Sequence, residues 1–269
     1  MRIELSTFED SDSPEIARIL DELKEIKKNA IALGDEERAN NCWRELEALE
    51  LNLIYIKAFH KIKNKQYREA WYDLEQCEIK CQFIQENSSK DFCAKTRVSF
   101  IGAKALSWQS LYPYCVFSSP GFTVGYYTCS ICDHKIRPRS RCAHSKGKIY
   151  NGELCLHVGH DLELKEISIV SKPVQKYSVV HNDETLDFSL IEYLIDFLED
   201  AFEEWGAIRT RMKFPIEKFS RVKLDQDCPC KGGGRFGDCC STKSEIEIPH
   251  VDFVFHKEIS NPAEIRFPY

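Results

Sequence analysis

From residue 13 to about residue 111, apolar side chains recur every three or four positions, the spacing that gathers them on one face of an α-helix. Ser13-Pro14-Glu15 sets an N-cap before a proline at the first helical position, and Ile16, Ile19, Leu20, Leu23 and Ile26 follow on one stripe up to Gly34. Asp35 opens a longer helix, along which Trp43, Leu46, Leu49, Leu53, Ile56 and Phe59 repeat to about Asn64. A third stripe holds Tyr67, Ala70, Trp71, Leu74, Cys77 and Cys81, and a fourth helix is predicted from Asp91 to Leu111, where Pro113 stops it. Short connections make neighbouring helices antiparallel, so residues 1–112 are expected to form a helical bundle.

Beyond this point the pattern changes. Residues 112–128, YPYCVFSSPGFTVGYYT, mix aromatics with glycine and proline and mark a domain boundary before a central region, 113–206. Asn151-Gly152 suits a type I′ turn between two short strands, and further strands are predicted at Leu162 to Val170 and Val174 to Val180. Phe117, Phe122, Tyr126 and Tyr127 are expected to pack beneath this element, although exposed aromatics there would instead stack on bases. Residues 185–206 carry Phe188, Ile191, Leu194, Ile195, Leu198 and Phe202 at helical spacing, which predicts one helix covering the strands. A third region, 207–269, reads as a basic linker, a cysteine knuckle and a terminal strand. The fold class expected is α+β.

Cysteine spacing then supplies candidate chemistry. Cys129 and Cys132 form a C-x-x-C pair, and Cys142 with His144 forms a C-x-H pair after a polar stretch, DHKIRPRSR, that has little with which to build a core. Four thiolate and imidazole donors suit tetrahedral Zn²⁺, and a metal cross-link is the physical reason for such a segment to fold. Cys155 is a fifth donor nearby, so the fourth ligand is His144 or Cys155. The second group is Cys228, Cys230, Cys239 and Cys240, spaced C-x-C, eight residues, C-C. Two zinc ions are therefore expected. With four protein ligands each, neither keeps the open position that catalysis requires. Cys42, Cys77, Cys81, Cys93 and Cys115 lack ligand spacing and are read as small buried apolar residues.

Three stretches resemble known families. Ala58 followed by Tyr67-x-x-Ala70-x-x-x-Leu74 resembles a tetratricopeptide hairpin, which implies a peptide-binding groove; the alternative is a plain bundle whose aromatic stripe is core. The segment C-x-x-C, C-x-H-x-x-G, Y-x-G-x-x-C from Cys129 to Cys155 is similar to zinc knuckles of phage and prophage proteins. Cys228-Pro229-Cys230-Lys231-Gly232-Gly233-Gly234-Arg235-Phe236-Gly237-Asp238-Cys239-Cys240 resembles the SEC-C motif at the end of the bacterial translocation ATPase SecA. It departs from that motif at Lys231-Gly232-Gly233, at Asp238 and at Cys240. That resemblance implies a zinc module of bacterial type that binds a protein partner or the ribosome.

Charge and composition narrow the function. A net charge of −6 argues against non-specific nucleic-acid binding as the main role, yet Arg209, Arg211, Lys213, Lys218, Arg221 and Lys223 form a basic cluster just before Cys228. No apolar run is long enough for a membrane span, and the start, MRIELSTFED, lacks the regions of a signal peptide, so a cytoplasmic protein is expected. The odd cysteine count of 13, concentrated in metal-like groups, favours reduced thiols over disulfides. The expected function is a non-catalytic zinc-binding interaction protein with a protein or ribosome/RNA partner and no nucleotide cofactor. The alternative is a metal-dependent nuclease or hydrolase using His134, His157 or His160, suggested by Asp133-His134 with Pro138.

Overall fold

The computed structural model describes residues 13–258; the amino-terminal stretch weighed as a signal peptide lies outside them. Ser13 accepts the Ile16 amide at 3.4 Å, and Pro14 takes the first helical position of α1 (Pro14–Leu33). Gly34, at φ 72°, ends the helix in the left-handed conformation that glycine adopts without a Cβ clash. Asp35 then caps α2 (Glu36–Lys63) by accepting from the Arg38 amide. α3 (Tyr67–Asn87) returns along α2, and α5 (Val98–Leu111) packs on α3.

As the central helix, α2 is buried over more of its circumference than one stripe predicts. Leu51 and Tyr55 are fully buried beside the expected Trp43, Leu46, Ile56 and Phe59, whereas Leu49 and Leu53 are only half-buried. The fourth predicted helix is divided into α4 (Lys90–Lys95) and α5, because Arg97 adopts φ 63°. Asn52 satisfies the freed Thr96 carbonyl by donating to it at 3.0 Å, while the Arg97 guanidinium lies 4.0 Å from the Phe202 ring centroid.

The chain then enters β1 (Phe117–Cys129), which pairs antiparallel with β5 (His157–Val170) over nearly its whole length. Between them lie β2 (Lys135–Ile136), added to the Cys129 end of β1, and a small hairpin of β3 (Ile149–Tyr150) and β4 (Glu153–Leu154). Asn151 and Gly152, at φ 49° and 76°, make the expected turn of that hairpin. Residues 174–180, expected as a strand, form only the bridge Phe117↔Val179. Beside it the Ser118 amide donates to the Ser178 carbonyl at 2.8 Å and the Val180 amide to the Val116 carbonyl at 3.0 Å, while α3 side chains take the bonds of Lys176: its amide donates to Glu75, and its carbonyl accepts from Trp71 Nε1 at 2.7 Å.

The helix expected over 185–206 is reduced to α6 (Ser189–Ile195), and it does not cover the strands. Its apolar face lies on the helical layer: Phe188 stacks on Tyr67 at 4.2 Å, and α6 packs on α2 and α5. The helix ends because the chain must turn to begin β6 (Trp205–Pro215); Asp200 accepts the Phe202 amide in that turn. Tyr67 and Trp71, which a tetratricopeptide groove would present to a ligand, are buried against Phe188, Tyr112, Tyr114 and Phe117 of the same chain.

Two compact units result, Met1–Phe202 and Glu203–Tyr269. In the second, β6 pairs antiparallel with β7 (Glu245–Phe255) from Trp205↔Phe255 to Pro215↔Glu245, so much of the segment read as a linker is a strand. A 3₁₀ turn, Ile216–Phe219, and the short helix α7 (Phe236–Cys239) complete it. No helix among the described residues is long and apolar enough to cross a membrane.

Candidate metal centres

The first centre is the closed end of the β1–β5 hairpin. β1 delivers Cys129, and Asp133, at φ 56°, turns the chain so that the Cys129 amide donates to the His134 carbonyl and β2 begins. The turn presents the Ile131 amide to Cys129 Sγ at 3.4 Å. Cys142 and His144 arrive on the loop before β3, where Tyr150 orients them: its hydroxyl accepts the Ser145 amide at 2.8 Å, and its ring meets the His144 imidazole edge-on at 4.7 Å. The ligand atoms of Cys129, Cys132, Cys142 and His144 all lie within 4.8 Å of one another, so this group could hold a metal ion. Cys129 Sγ stands 3.7 Å from His144 Nδ1, near the roughly 3.5–3.8 Å edge of a tetrahedron built on Zn–S and Zn–N bonds.

Cys155, the open alternative, also lies 3.7 Å from Cys129 Sγ but is not one of the mutually close four. The surroundings of the two thiols push their pKa values in opposite directions. Burial opposes ionisation of Cys129, but the Ile131 and Cys132 amides and the neighbouring thiols outweigh it and bring its pKa down to about 6. Burial, followed by its bond to Cys129, pushes Cys155 up to about 11. The two sulfurs lie within hydrogen-bonding reach, and either can donate.

The module is docked on the helices by residues that carry no metal-like signal in the sequence. Asn40 accepts the Gly152 amide at 2.7 Å, Asn87 accepts the Ile149 amide at 3.1 Å, and Lys27 pairs with Glu153 at 2.8 Å. Asn40 lies near the start of α2, Asn87 ends α3 and Lys27 lies within α1, all polar residues for which solvent contact is the ordinary expectation.

In the second centre Cys228, Cys230, Cys239 and Cys240 likewise lie within 4.8 Å of one another. Lys231 and Gly233, at φ 57° and 85°, bend the loop tightly enough for the Cys228 amide to donate to the Gly234 carbonyl at 2.9 Å. Cys230 Sγ lies 3.5 Å from Cys239 Sγ, which lies 3.7 Å from Cys240 Sγ. Thiols this close shift one another's ionisation. Burial first, and then bonds to its neighbours, push Cys228 to about 12; Cys230 falls to about 7, because its sulfur accepts from Cys228 and from the Gly232 amide despite opposing burial. Lys243, three residues past the last cysteine, has its pKa raised by contact with the Cys240 sulfur, a cation that the sequence reading missed.

All six residues of the basic cluster are exposed. Strand alternation puts Arg209, Arg211 and Lys213 on one side of β6, opposite Val251, Pro249 and Glu247, while Phe214, Ile246 and Ile248 on the other side join Phe236, Cys228 and Cys240 in a core. Arg211 is tied down, donating to the Cys230 carbonyl at 3.2 Å and pairing with Glu247 at 3.3 Å. Lys218 lies 5.3 Å from the Phe214 ring centroid, and Arg221 and Lys223 follow in the loop leading to Cys228.

The histidines of the hydrolytic alternative belong to neither group. His134 Nε2 lies 3.2 Å from Ser140 Oγ, His160 Nε2 lies 2.8 Å from Thr128 Oγ1, and His157 stands opposite Cys129 in the β-ladder. Cys42, Cys77, Cys81 and Cys93 are buried as expected; Cys115 is exposed, beside His181, because it precedes β1 on the loop that leaves α5. No family model, curated protein or solved structure matches the chain.

Proposed function

We propose that both centres hold Zn²⁺, through Cys129, Cys132, Cys142 and His144 and through Cys228, Cys230, Cys239 and Cys240, and that the protein is a non-catalytic module binding RNA or a ribosomal surface. The observation that carries this reading is the exposed set Arg209, Arg211, Lys213, Lys218, Arg221 and Lys223, held by β6 and the following turn against the four-cysteine knuckle. Soft thiolate donors at near-tetrahedral separations support zinc, and four protein ligands per ion leave no position for an activated water. Ordered cations along a strand neutralise successive phosphates more effectively than a mobile tail, because their side chains are already placed.

Co-sedimentation with ribosomes across a salt series tests this. Binding is expected to weaken steeply with salt, and Arg221→Ala with Lys223→Ala should flatten the log–log slope by roughly 0.7 for each phosphate no longer neutralised. Cys239→Ser should abolish the same binding while leaving the helical circular dichroism intact. Wild-type affinity and slope in both variants would place the interaction elsewhere.

A further inference from the structure

The β1–β5 ribbon is amphipathic, and among the described residues its apolar side chains are largely exposed. Phe117↔Val170 anchors one end, where Phe117 packs on Trp71, and the metal module docked by Asn40 and Asn87 anchors the other. Between them the register puts Pro120, Phe122 and Val124 opposite Ile167, Leu164 and Leu162, and the bulge at Gly121/Phe122 keeps them on one face. Phe122 is 52% exposed, Leu162 59%, Leu164 52%, Ile167 63% and Ile169 65%. The carboxylates are on the opposite face: Glu163 stands across from Thr123, and Glu166 from Gly121, with Lys165 turned toward Glu163 in a 2.8 Å ion pair.

Two-stranded ribbons are marginal in water without a second layer on their apolar face, and soluble chains rarely leave a patch beyond a few hundred Å² open. We infer that a second copy of this chain supplies that layer, the two ribbons stacking face to face into a four-stranded sandwich. The partly exposed side chains offer roughly 600 Å² per copy, and pairing two such faces passes the ~1,000 Å² total that a specific interface needs. Chemistry favours a copy over a charged partner. The strip holds no Asp, Glu, Lys or Arg, so a nucleic acid or acidic peptide would find nothing to pair with, while two chains of net charge −6 would meet where neither carries that charge. The ribbon and β6 belong to different compact units and share no residue, so the dimer and the RNA reading are tested independently.

Sedimentation velocity on the metal-loaded full chain over a dilution series tests the inference. Wild type is expected as a dimer that dissociates on dilution. Ile167→Glu should be monomeric at every concentration, and Glu166→Gln, on the polar face, should dimerise as wild type does. Retained zinc content and far-UV dichroism check that Ile167→Glu folds. Should it fail to fold, hydrogen exchange on wild type decides: residues 118–124 and 162–169 should exchange more slowly as concentration rises. A wild type monomeric at its highest soluble concentration overturns the inference, as does an Ile167→Glu dimer or a dimer whose ribbon exchange ignores concentration. Slowing of the ribbon in a monomer by added phosphatidylcholine vesicles would assign the face to a membrane and overturn it equally.

Discussion

The helical layer and the carboxy-terminal unit reach a folded state by different routes. Between α1 and α5 the buried set includes Leu51, Tyr55, Leu74, Ile84, Ile101 and Trp108, all essentially without solvent contact and none a metal-ligand candidate. In the unit from Glu203 onward, the core cluster is Phe214, Phe219, Phe236, Ile246 and Ile248 together with Cys228 and Cys240, two of the four grouped thiols. Hydrophobic transfer suffices for the first, since each large side chain buried contributes about 1.5–3 kcal/mol. A core this small is of the kind that small domains supplement with a cross-link, and on the proposed reading zinc held by the thiols supplies it. If zinc is bound as proposed, one polypeptide holds a region indifferent to metal beside one that depends on it.

The largest effect should come from chelation. Stripping metal is expected to unfold the carboxy-terminal unit, collapsing hydrogen-exchange protection of β6 and β7, while the protection of α2 and α3 persists. Loss of both together would erase the contrast. Next in size, Leu74→Ala removes a fully buried side chain from α3 and should cost about 2–5 kcal/mol in chemical denaturation of the helical layer, with the metal content unchanged. Cys132→Ser should reduce bound zinc from two equivalents to one and loosen residues 130–156, whereas Cys155→Ser should keep both equivalents, because Cys155 is outside the mutually close four. Atomic absorption on the purified variants separates these outcomes.

The smallest effect concerns Glu75, buried under the 174–180 segment, with Oε2 lacking a hydrogen-bond partner. Burial raises its pKa above the ordinary carboxylate value, against the Lys176 and Tyr177 amides that favour the anion. A raised folded value means that its contribution to stability is full below the unfolded pKa and is lost as pH rises through the folded one. Glu75→Gln should remove that loss, so that the variant gains on wild type as pH increases; equal pH–stability slopes would refute the assignment.

What could be read in the sequence follows the same division. Helical periodicity located α1, α2 and α3 because apolar residues recur at helical spacing along each, even where α2 is buried on more than one face, and the cysteine spacings found both ligand groups because ligand geometry is local. The break at Arg97 was not legible: it depends on Asn52, more than forty residues away, donating to the Thr96 carbonyl. Nor was the destination of Phe188 and Leu198, since an apolar stripe states that a face is buried and not against what. The β1–β5 pairing escaped for a third reason. Glycine, proline and serine interrupt β1, and alternation on the strand is visible only once the bulge at Gly121/Phe122 is allowed for.

That pairing bears on the order in which the chain can fold. Cys129 stands opposite His157, so residues 130–156 form the loop of one long hairpin, and closing it by diffusion alone carries the entropy of a long flexible segment. A metal bridge from Cys129 to Cys142 and His144, if zinc binds there as proposed, would shorten the free path before any strand contact has formed. Refolding of the ribbon should then start at its metal end and zip toward Phe117 and Val170, making zinc concentration a determinant of its rate as well as of its stability.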